Sequence, residues 1–129
     1  MTGGGPAAID THVAVWLYAG EIERFSATAR VALESGQLLL PGMAFLELEL
    51  LHEIGRIDKS AHSIVKDLQR RLGLGFSNAA HASVLEQSLA EAWTRDPFDR
   101  VIVAEARLLD LPLVTKDGNI RRRYEHAVW

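Results

Sequence analysis

A chain of 129 residues is long enough for one domain with a hydrophobic core and too short for two ordinary domains. With 48% hydrophobic and 24% charged residues, its composition excludes a disordered chain. A net charge of −3 argues against binding nucleic acid by bulk positive charge, and zero cysteines exclude disulfides and thiolate metal sites. Because there is no apolar run long enough for a membrane span and no signal-peptide pattern, we expect a cytoplasmic protein without a membrane partner.

Short apolar runs alternate with helical patterns along the chain. Residues 7–10 predict a buried strand that ends at Asp10, and we expect Thr11 to cap a helix that Gly20 ends. Further helices are predicted over residues 24–34, 43–54, 60–72, 79–92 and 97–109, and further strands over 37–41, 111–115 and 126–129. This alternation predicts one α/β domain over residues 1–129, in which helices flank a mostly parallel, twisted sheet of short strands.

The stretch RDPFDR, residues 95–100, places two aspartates at the start of a predicted helix. Asp96 is a good N-cap, Pro97 suits the first helical position, and Asp99 falls in the first turn. The helical period also puts Asp99 on the same face as three apolar residues, Ile102, Val103 and Ala106. Asp96 is therefore expected to cap the helix while Asp99 points inward and binds a metal ion.

Three other acids are predicted to lie near Asp99. Asp10 and Asp117 each follow a predicted strand, and ligands of parallel sheets bind beyond the carboxyl ends of the strands. Glu47 falls on a helix stripe that we expect to face the core, formed by Met43, Leu46, Leu50 and Ile54. A carboxylate in the core is costly unless it is paired or binds a metal. Asp10, Glu47, Asp99 and Asp117 are thus predicted to converge on one edge of the sheet, with Asp96 beside them.

A cluster of carboxylates predicts a cation. Packed carboxylates raise one another's pKa values unless a cation holds them. Oxygen ligands in a chain with zero cysteines favour a hard ion, Mg²⁺ or Mn²⁺. Such an ion positions a phosphodiester, lowers the pKa of a water and neutralises charge on the leaving oxygen.

The order of these motifs resembles the PIN-domain family. DTH (10–12) follows a strand, Glu47 lies in a helix that leads to GRI (55–57), and RDPFDRVIVAEA and LPLVTKD come later. In this order they are most similar to the toxin ribonucleases of VapBC-type toxin–antitoxin modules. The resemblance runs from about residue 7 to Trp129 and implies a PIN-like three-layer sandwich.

The resemblance also implies a site and a reaction. Asp10, Glu47, Asp99 and Asp117 would be catalytic, with Asp10, Asp99 and Asp117 binding the metal and Asp96 and Thr115 as accessory residues. The implied activity is an Mg²⁺- or Mn²⁺-dependent endoribonuclease that hydrolyses RNA with a metal-activated water. The implied partners are a second copy of the chain and a cognate antitoxin protein.

Two alternatives stay open at this stage. A non-catalytic PIN-like binding module is expected to lack one of the four acids, and a receiver-type signalling domain needs paired acids after its first strand, where IDTHV (9–13) has one. Two positions stay open for His12: the edge of the site and, as the expected one, a helix surface or the core. Trp16, Trp93 and Trp129 are expected to make core or dimer contacts rather than to serve as base-stacking platforms.

Overall fold

The computed structural model describes residues 5–34 and 36–129. Its strands are β1 (Ala7–Ile9), β2 (Leu38–Leu40), β3 (Gly75–Phe76), β4 (Leu113–Val114) and β5 (Ala127–Val128). Its α-helices are α1 (Thr11–Ala19), α2 (Ala27–Glu34), α3 (Gly42–Glu53), α4 (Ala61–Leu72), α5 (His81–Ser88), α6 (Pro97–Leu108) and α7 (Gly118–Arg123). A 3₁₀ turn covers Ile22–Arg24. The predicted domain bounds, 1–129, include residues 1–4 and 35, which lie outside the described part.

The five strands form one sheet in the order β3-β2-β1-β4-β5, and every pairing among them is parallel. The predicted α/β class, a parallel sheet of short strands flanked by helices, is confirmed. The chain moves from β1 to β2 on one side and later returns to β4 on the other side of β1. This reversal opens a crevice at the carboxyl ends of β1 and β4, where ligands of such sheets bind.

Helix ends follow the predicted signals with one correction. Gly20 and Gly73 end α1 and α4 with φ of 73° and 67°, a left-handed conformation that glycine adopts without strain. The predicted cap of α1 is wrong by one residue, because Thr11 is already helical. Asp10 has the extended backbone of an N-cap, and its carboxylate accepts the Thr11 N–H at 2.8 Å.

The orientation of α3 differs from the prediction. Ala44 and Leu48 are its buried residues. Leu46, Leu50 and Ile54, which were expected to face the core, are 47%, 37% and 68% exposed. Helix α3 is apolar on most of its circumference, so its sequence does not specify one buried face. Helix α3 packs against α1, α4 and α6 with Ala44 and Leu48 buried, and Leu46, Leu50 and Ile54 are left outside.

Three local features depart from the predicted elements. The segment predicted as one helix over 24–34 begins as the 3₁₀ turn, and Ser26 then caps α2 by accepting the Ala29 N–H at 3.0 Å. Strand β3 and helix α7 were not predicted.

In the described parts of the chain, no helix has both the length and the apolar character required to cross a membrane.

A buried ion pair ties the segment after α5 to α6. The Glu91 side chain is 3% exposed, and its Oε2 lies 2.9 Å from Nε of Arg107. The indole Nε1 of Trp93 donates to Glu91 Oε1 at 2.8 Å. The Arg107 guanidinium also lies over the ring of Tyr124, 5.0 Å from its centroid. These contacts hold the C-terminal half of α6 to the neighbouring segments.

Candidate active site

Three residues at the carboxyl ends of β1 and β4 are joined by hydrogen bonds. The buried hydroxyl of Thr115 donates to Asp10 Oδ2 at 2.7 Å and accepts the Asp117 N–H at 3.0 Å. Asp117 is the N-cap of α7, because its Oδ1 accepts the N–H groups of the two residues in the first turn, Asn119 and Ile120. One oxygen of each carboxylate is thus tied to its own helix.

Glu47 reaches the same place from α3. The Thr11 hydroxyl donates to Glu47 Oε1 at 2.6 Å, which fixes the carboxylate beside the start of α1. Burial raises the pKa of Glu47 above its ordinary value, and Asp10 and Asp96 raise it further while the Thr11 hydrogen bond opposes them. Glu47 therefore reaches the site as a half-buried residue on the side of α3, not through the core-facing stripe that was predicted.

The two aspartates of RDPFDR take different positions. Asp96 is exposed and caps α6, accepting the N–H groups of Phe98 at 2.8 Å and Asp99 at 3.3 Å. Asp99 is partly buried on the first turn of α6 and lines a cavity with the other acids. Burial, the largest cause, acts together with the carboxylates of Asp96, Asp10, Asp117 and Glu47 to raise the pKa of Asp99 to about 7.

All five predicted acids line one cavity of about 440 Å³. Its lining is Asp10, Thr11, His12, Val15, Trp16, Glu47, Leu51, Arg56, Ile57, Asp96, Asp99 and Asp117. Thr115 does not line the cavity but donates a hydrogen bond to Asp10, which does. The structure thus brings together the full set of acids that the sequence singled out.

His12 also belongs to this cavity, although it was expected elsewhere. Its Nε2 accepts the Lys116 N–H at 2.9 Å, and its Nδ1 lies 3.7 Å from Asp10 Oδ2. Because Nε2 accepts a hydrogen bond, the proton of the neutral imidazole ring lies on Nδ1, the nitrogen 3.7 Å from Asp10 Oδ2. His12 thus ties the loop after β4 to the start of α1. The sequence signal for this role was its position two residues after the strand-ending aspartate.

The donor set fits a hard divalent cation. Within residues 5–34 and 36–129, His12 is the only basic side chain within 4.0 Å of the five carboxylates. As the side chains stand, no three His, Asp or Glu groups in these ranges are spaced for one ion. Mutually repelling carboxylates around a cavity would have to draw together on a bound ion. Their hard oxygen atoms suit Mg²⁺ or Mn²⁺.

The fold and the site together define a class of protein, a parallel α/β domain with an acidic crevice where β1 and β4 end. The chain belongs to the PIN domain family, whose model matches residues 7–125. The resemblance in the sequence motifs is therefore confirmed.

Individual relatives agree with this assignment. The chain is 35% identical over 120 residues to Ribonuclease VapC22 of Mycobacterium tuberculosis, covering 88% of each chain. The fold is similar to VapBC2 from Rickettsia felis, solved bound to a DNA fragment from their promoter, with a TM-score of 0.66, 12% identity and 95% and 96% of the two chains covered. A toxin–antitoxin complex from Klebsiella pneumoniae gives a TM-score of 0.61 at 15% identity, with the same coverage.

Proposed function

We propose that this protein is an endoribonuclease that depends on Mg²⁺ or Mn²⁺ and hydrolyses RNA phosphodiesters. The observation that carries the proposal is the convergence of five carboxylates on one cavity, where their repulsion and burial raise the pKa of Asp99 to about 7. Such a cluster is costly to a fold unless it holds a cation. The ribonuclease name of the relative at 35% identity points to the same reaction.

The residues of the site divide into two groups. Asp10, Asp99 and Asp117 would hold the ion, which when bound supplies an activated water and neutralises charge on the phosphodiester. Thr115 and Thr11 are positioning residues, because the Thr115 hydroxyl fixes the carboxylate of Asp10 and the Thr11 hydroxyl fixes that of Glu47.

The bonds around the metal-binding acids prepare them for this role. In Asp117, Oδ1 accepts two N–H groups of the helix N-terminus, which holds this carboxylate at the cavity. In Asp10, Oδ1 and Oδ2 both accept hydrogen bonds, from the Thr11 N–H and the Thr115 hydroxyl. Glu47, held by Thr11, adds a carboxylate beside the cavity that can orient or deprotonate the attacking water.

The same proposal includes the biological setting. Solved neighbours of this fold are toxin–antitoxin complexes, and we propose that this chain is a cytoplasmic toxin inhibited by a cognate antitoxin protein. We also propose a homodimer. It is supported by the exposed apolar residues on one face of α3, Leu46, Leu50 and Ile54, which would be covered by a second copy.

The test is RNA cleavage with a matched pair of variants. Purified protein is incubated with single-stranded RNA in Mg²⁺, in Mn²⁺ and in EDTA, beside the variants Asp99→Asn and Asp67→Asn. Asp67 pairs with Arg70 and Arg71, and Arg71 also bonds Leu17 and Tyr18 at the far end of α1, so this control removes one carboxylate away from the cavity.

We expect metal-dependent cleavage by the wild type and by Asp67→Asn, and its loss in Asp99→Asn. A non-catalytic binding module is the competing interpretation. It predicts that a folded, metal-loaded wild type leaves every RNA intact, and that result would refute the proposed reaction.

A further inference from the structure

Part of the cavity lining is not acidic, and we call this part the wall. Val15, Leu51 and Ile57 are apolar, Trp16 is aromatic, and Arg56 is basic. Trp16 lies on the same face of α1 as His12, four residues after it, and their ring centroids are 4.9 Å apart. The wall therefore starts directly beside the Asp10 carboxylate.

The Trp16 ring is held in place and surrounded by positive charge. Phe25 and Trp129 pack against it edge-on, with ring centroids at 6.1 Å in each case. The Arg24 guanidinium lies 5.0 Å and the Lys116 Nζ 6.0 Å from the centroid of the ring. Both cations lie over the ring, so a base stacks on Trp16 by taking the place that they occupy.

Two cations beside this wall are not neutralised by a partner. Arg24 is paired with Glu21 at 2.8 Å. Among residues 5–34 and 36–129, Lys116 and Arg56 have no carboxylate within 4.0 Å. Arg56 lines the cavity, and the Lys116 Nζ lies over the Trp16 ring. His12 fixes the backbone of Lys116 through its N–H. Two unpaired cations beside the wall are suited to phosphate groups.

We propose that Trp16, Lys116 and Arg56 form a nucleotide subsite of the enzyme. The base next to the cleaved phosphodiester replaces Arg24 and Lys116 on the Trp16 ring, and the flanking phosphates lie against Arg56 and the displaced Lys116. A base within a duplex has both faces covered, so the subsite selects an unpaired strand. This inference rests on the proposed function and adds the element that positions the substrate.

Binding measurements test the subsite without relying on cleavage. The protein carries Asp99→Asn so that RNA stays intact, and the probe is a short, labelled single-stranded oligoribonucleotide followed by fluorescence anisotropy in Mg²⁺. One abasic ribose is then placed at successive positions. We expect one position at which loss of the base raises the Kd about tenfold.

The variant Trp16→Leu separates stacking from packing. It should raise the Kd of the intact RNA by a similar factor, and loss of the base at the abasic position should then raise the Kd no further. Trp93→Leu is the matched control, because Trp93 is a partly buried tryptophan that bonds Glu91 and does not line the cavity. It should lower stability and keep the penalty for the missing base. If the penalty persists in Trp16→Leu, the subsite is wrong and Trp16 has only a packing role.

The two cations give an independent measurement that does not depend on Trp16. Lys116→Gln and Arg56→Gln should each reduce the slope of log K against log salt by about 0.7, the value for one phosphate contact on a single strand. Arg70→Gln, an exposed arginine paired with Asp67, should leave the slope unchanged. Unchanged slopes in all three variants would overturn the phosphate contacts.

The outcomes separate the two proposals. A protein that cuts RNA but shows no base penalty refutes the subsite alone. A protein that shows the base penalty but cuts no RNA refutes the reaction alone and supports the subsite.

Discussion

The Thr115 hydroxyl connects two acids of the site that come from opposite ends of the chain. It donates to Asp10 at 2.7 Å across a separation of 105 residues, and it accepts the backbone N–H of Asp117 at 3.0 Å. Thr115 is completely buried. The backbone already joins the two strand ends, since the Asp10 N–H donates to the Val114 carbonyl at 3.1 Å, and the hydroxyl adds a side-chain link where both ends carry a carboxylate.

Replacing that hydroxyl by a methyl group should damage the site more than the fold. Thr115→Val keeps the shape of the side chain but leaves the Asp117 N–H without its acceptor, at a cost of about 1–3 kcal/mol. We expect RNA cleavage to fall by more than tenfold in Thr115→Val and to be largely retained in Thr115→Ser. Urea unfolding beside the cleavage assay checks this, and equal activity in the two variants would contradict it.

The two aspartates of RDPFDR should respond differently to the same substitution. Asparagine is a competent N-cap, so Asp96→Asn should cost only a few tenths of a kcal/mol and keep much of the activity. Asp99→Asn removes a charge that the ion needs and should reduce cleavage by roughly two orders of magnitude, or about 3 kcal/mol.

Melting curves in EDTA provide the structural control for this pair. Asp99→Asn should be as stable as the wild type or more stable, because it removes one of the repelling carboxylates around the cavity. Near-full activity in both variants would mean that RDPFDR only begins a helix.

The ion pair between Glu91 and Arg107 should matter far more than the pairs on α4. Arg107→Ala leaves the Glu91 carboxylate, which is 3% exposed, without its counter-charge. We expect a loss of about 3 kcal/mol in the free energy of unfolding. Arg70→Ala breaks a pair in which Arg70 is 74% exposed and should cost about 0–1 kcal/mol. Chemical denaturation of the two variants measures the difference, and similar losses would contradict it.

The buried carboxyl of Glu105 predicts a pH-dependent stability away from the site. Burial raises the pKa of Glu105 above 4.5, its ordinary value, while the hydroxyl of Ser77 and the nearby His81 oppose this shift. The unfolded chain therefore releases this proton first, and the stabilising contribution is lost as pH rises through the pKa of the folded protein.

The variant Glu105→Gln isolates this contribution. Its amide oxygen can still accept from Ser77, but it does not titrate. We expect the stability of the wild type, measured by urea unfolding, to fall relative to Glu105→Gln as pH rises from the ordinary pKa of 4.5 through the raised pKa of the folded protein. Parallel stability curves for the two proteins would contradict the assignment.

The exposed face of α3 predicts the contact between two copies of the chain. Light scattering at tens of micromolar protein should give a dimer, and Leu50→Glu with Ile54→Glu should give a folded monomer, because charges would replace the apolar surface. Val31→Glu, at a 66% exposed residue of α2, is the control and should stay dimeric. A monomeric wild type would refute the dimer.

Much of the site was readable because its acids stand at positions with a strong local signal. Asp10 ends an apolar run, and Asp96 precedes a proline that opens a helix. Asp99 lies at helical spacing from Ile102 and Val103, and both of these residues are fully buried. In such segments the local pattern and the tertiary position carry the same information.

Where the local pattern was weak, the prediction failed or gave nothing. Strand β3 has only two residues, one of them a glycine at the edge of the sheet. Helix α7 buries Ile120 alone, so it has no periodic stripe to detect. In α3 the apolar residues surround the helix, and only packing against α1, α4 and α6 decides that Ala44 and Leu48 lie inside.

Asp10, Asp96 and Asp117 each cap a helix with an oxygen that asparagine also possesses. The codons for aspartate and asparagine differ by a single base. If these acids carry a toxic activity, one point mutation at Asp10 or Asp117 would silence the protein and leave it folded and able to bind its partners. Selection against such an activity would then include an escape route that leaves a full-length, folded protein, and the substitutions in full-length survivors would show which acids carry the activity.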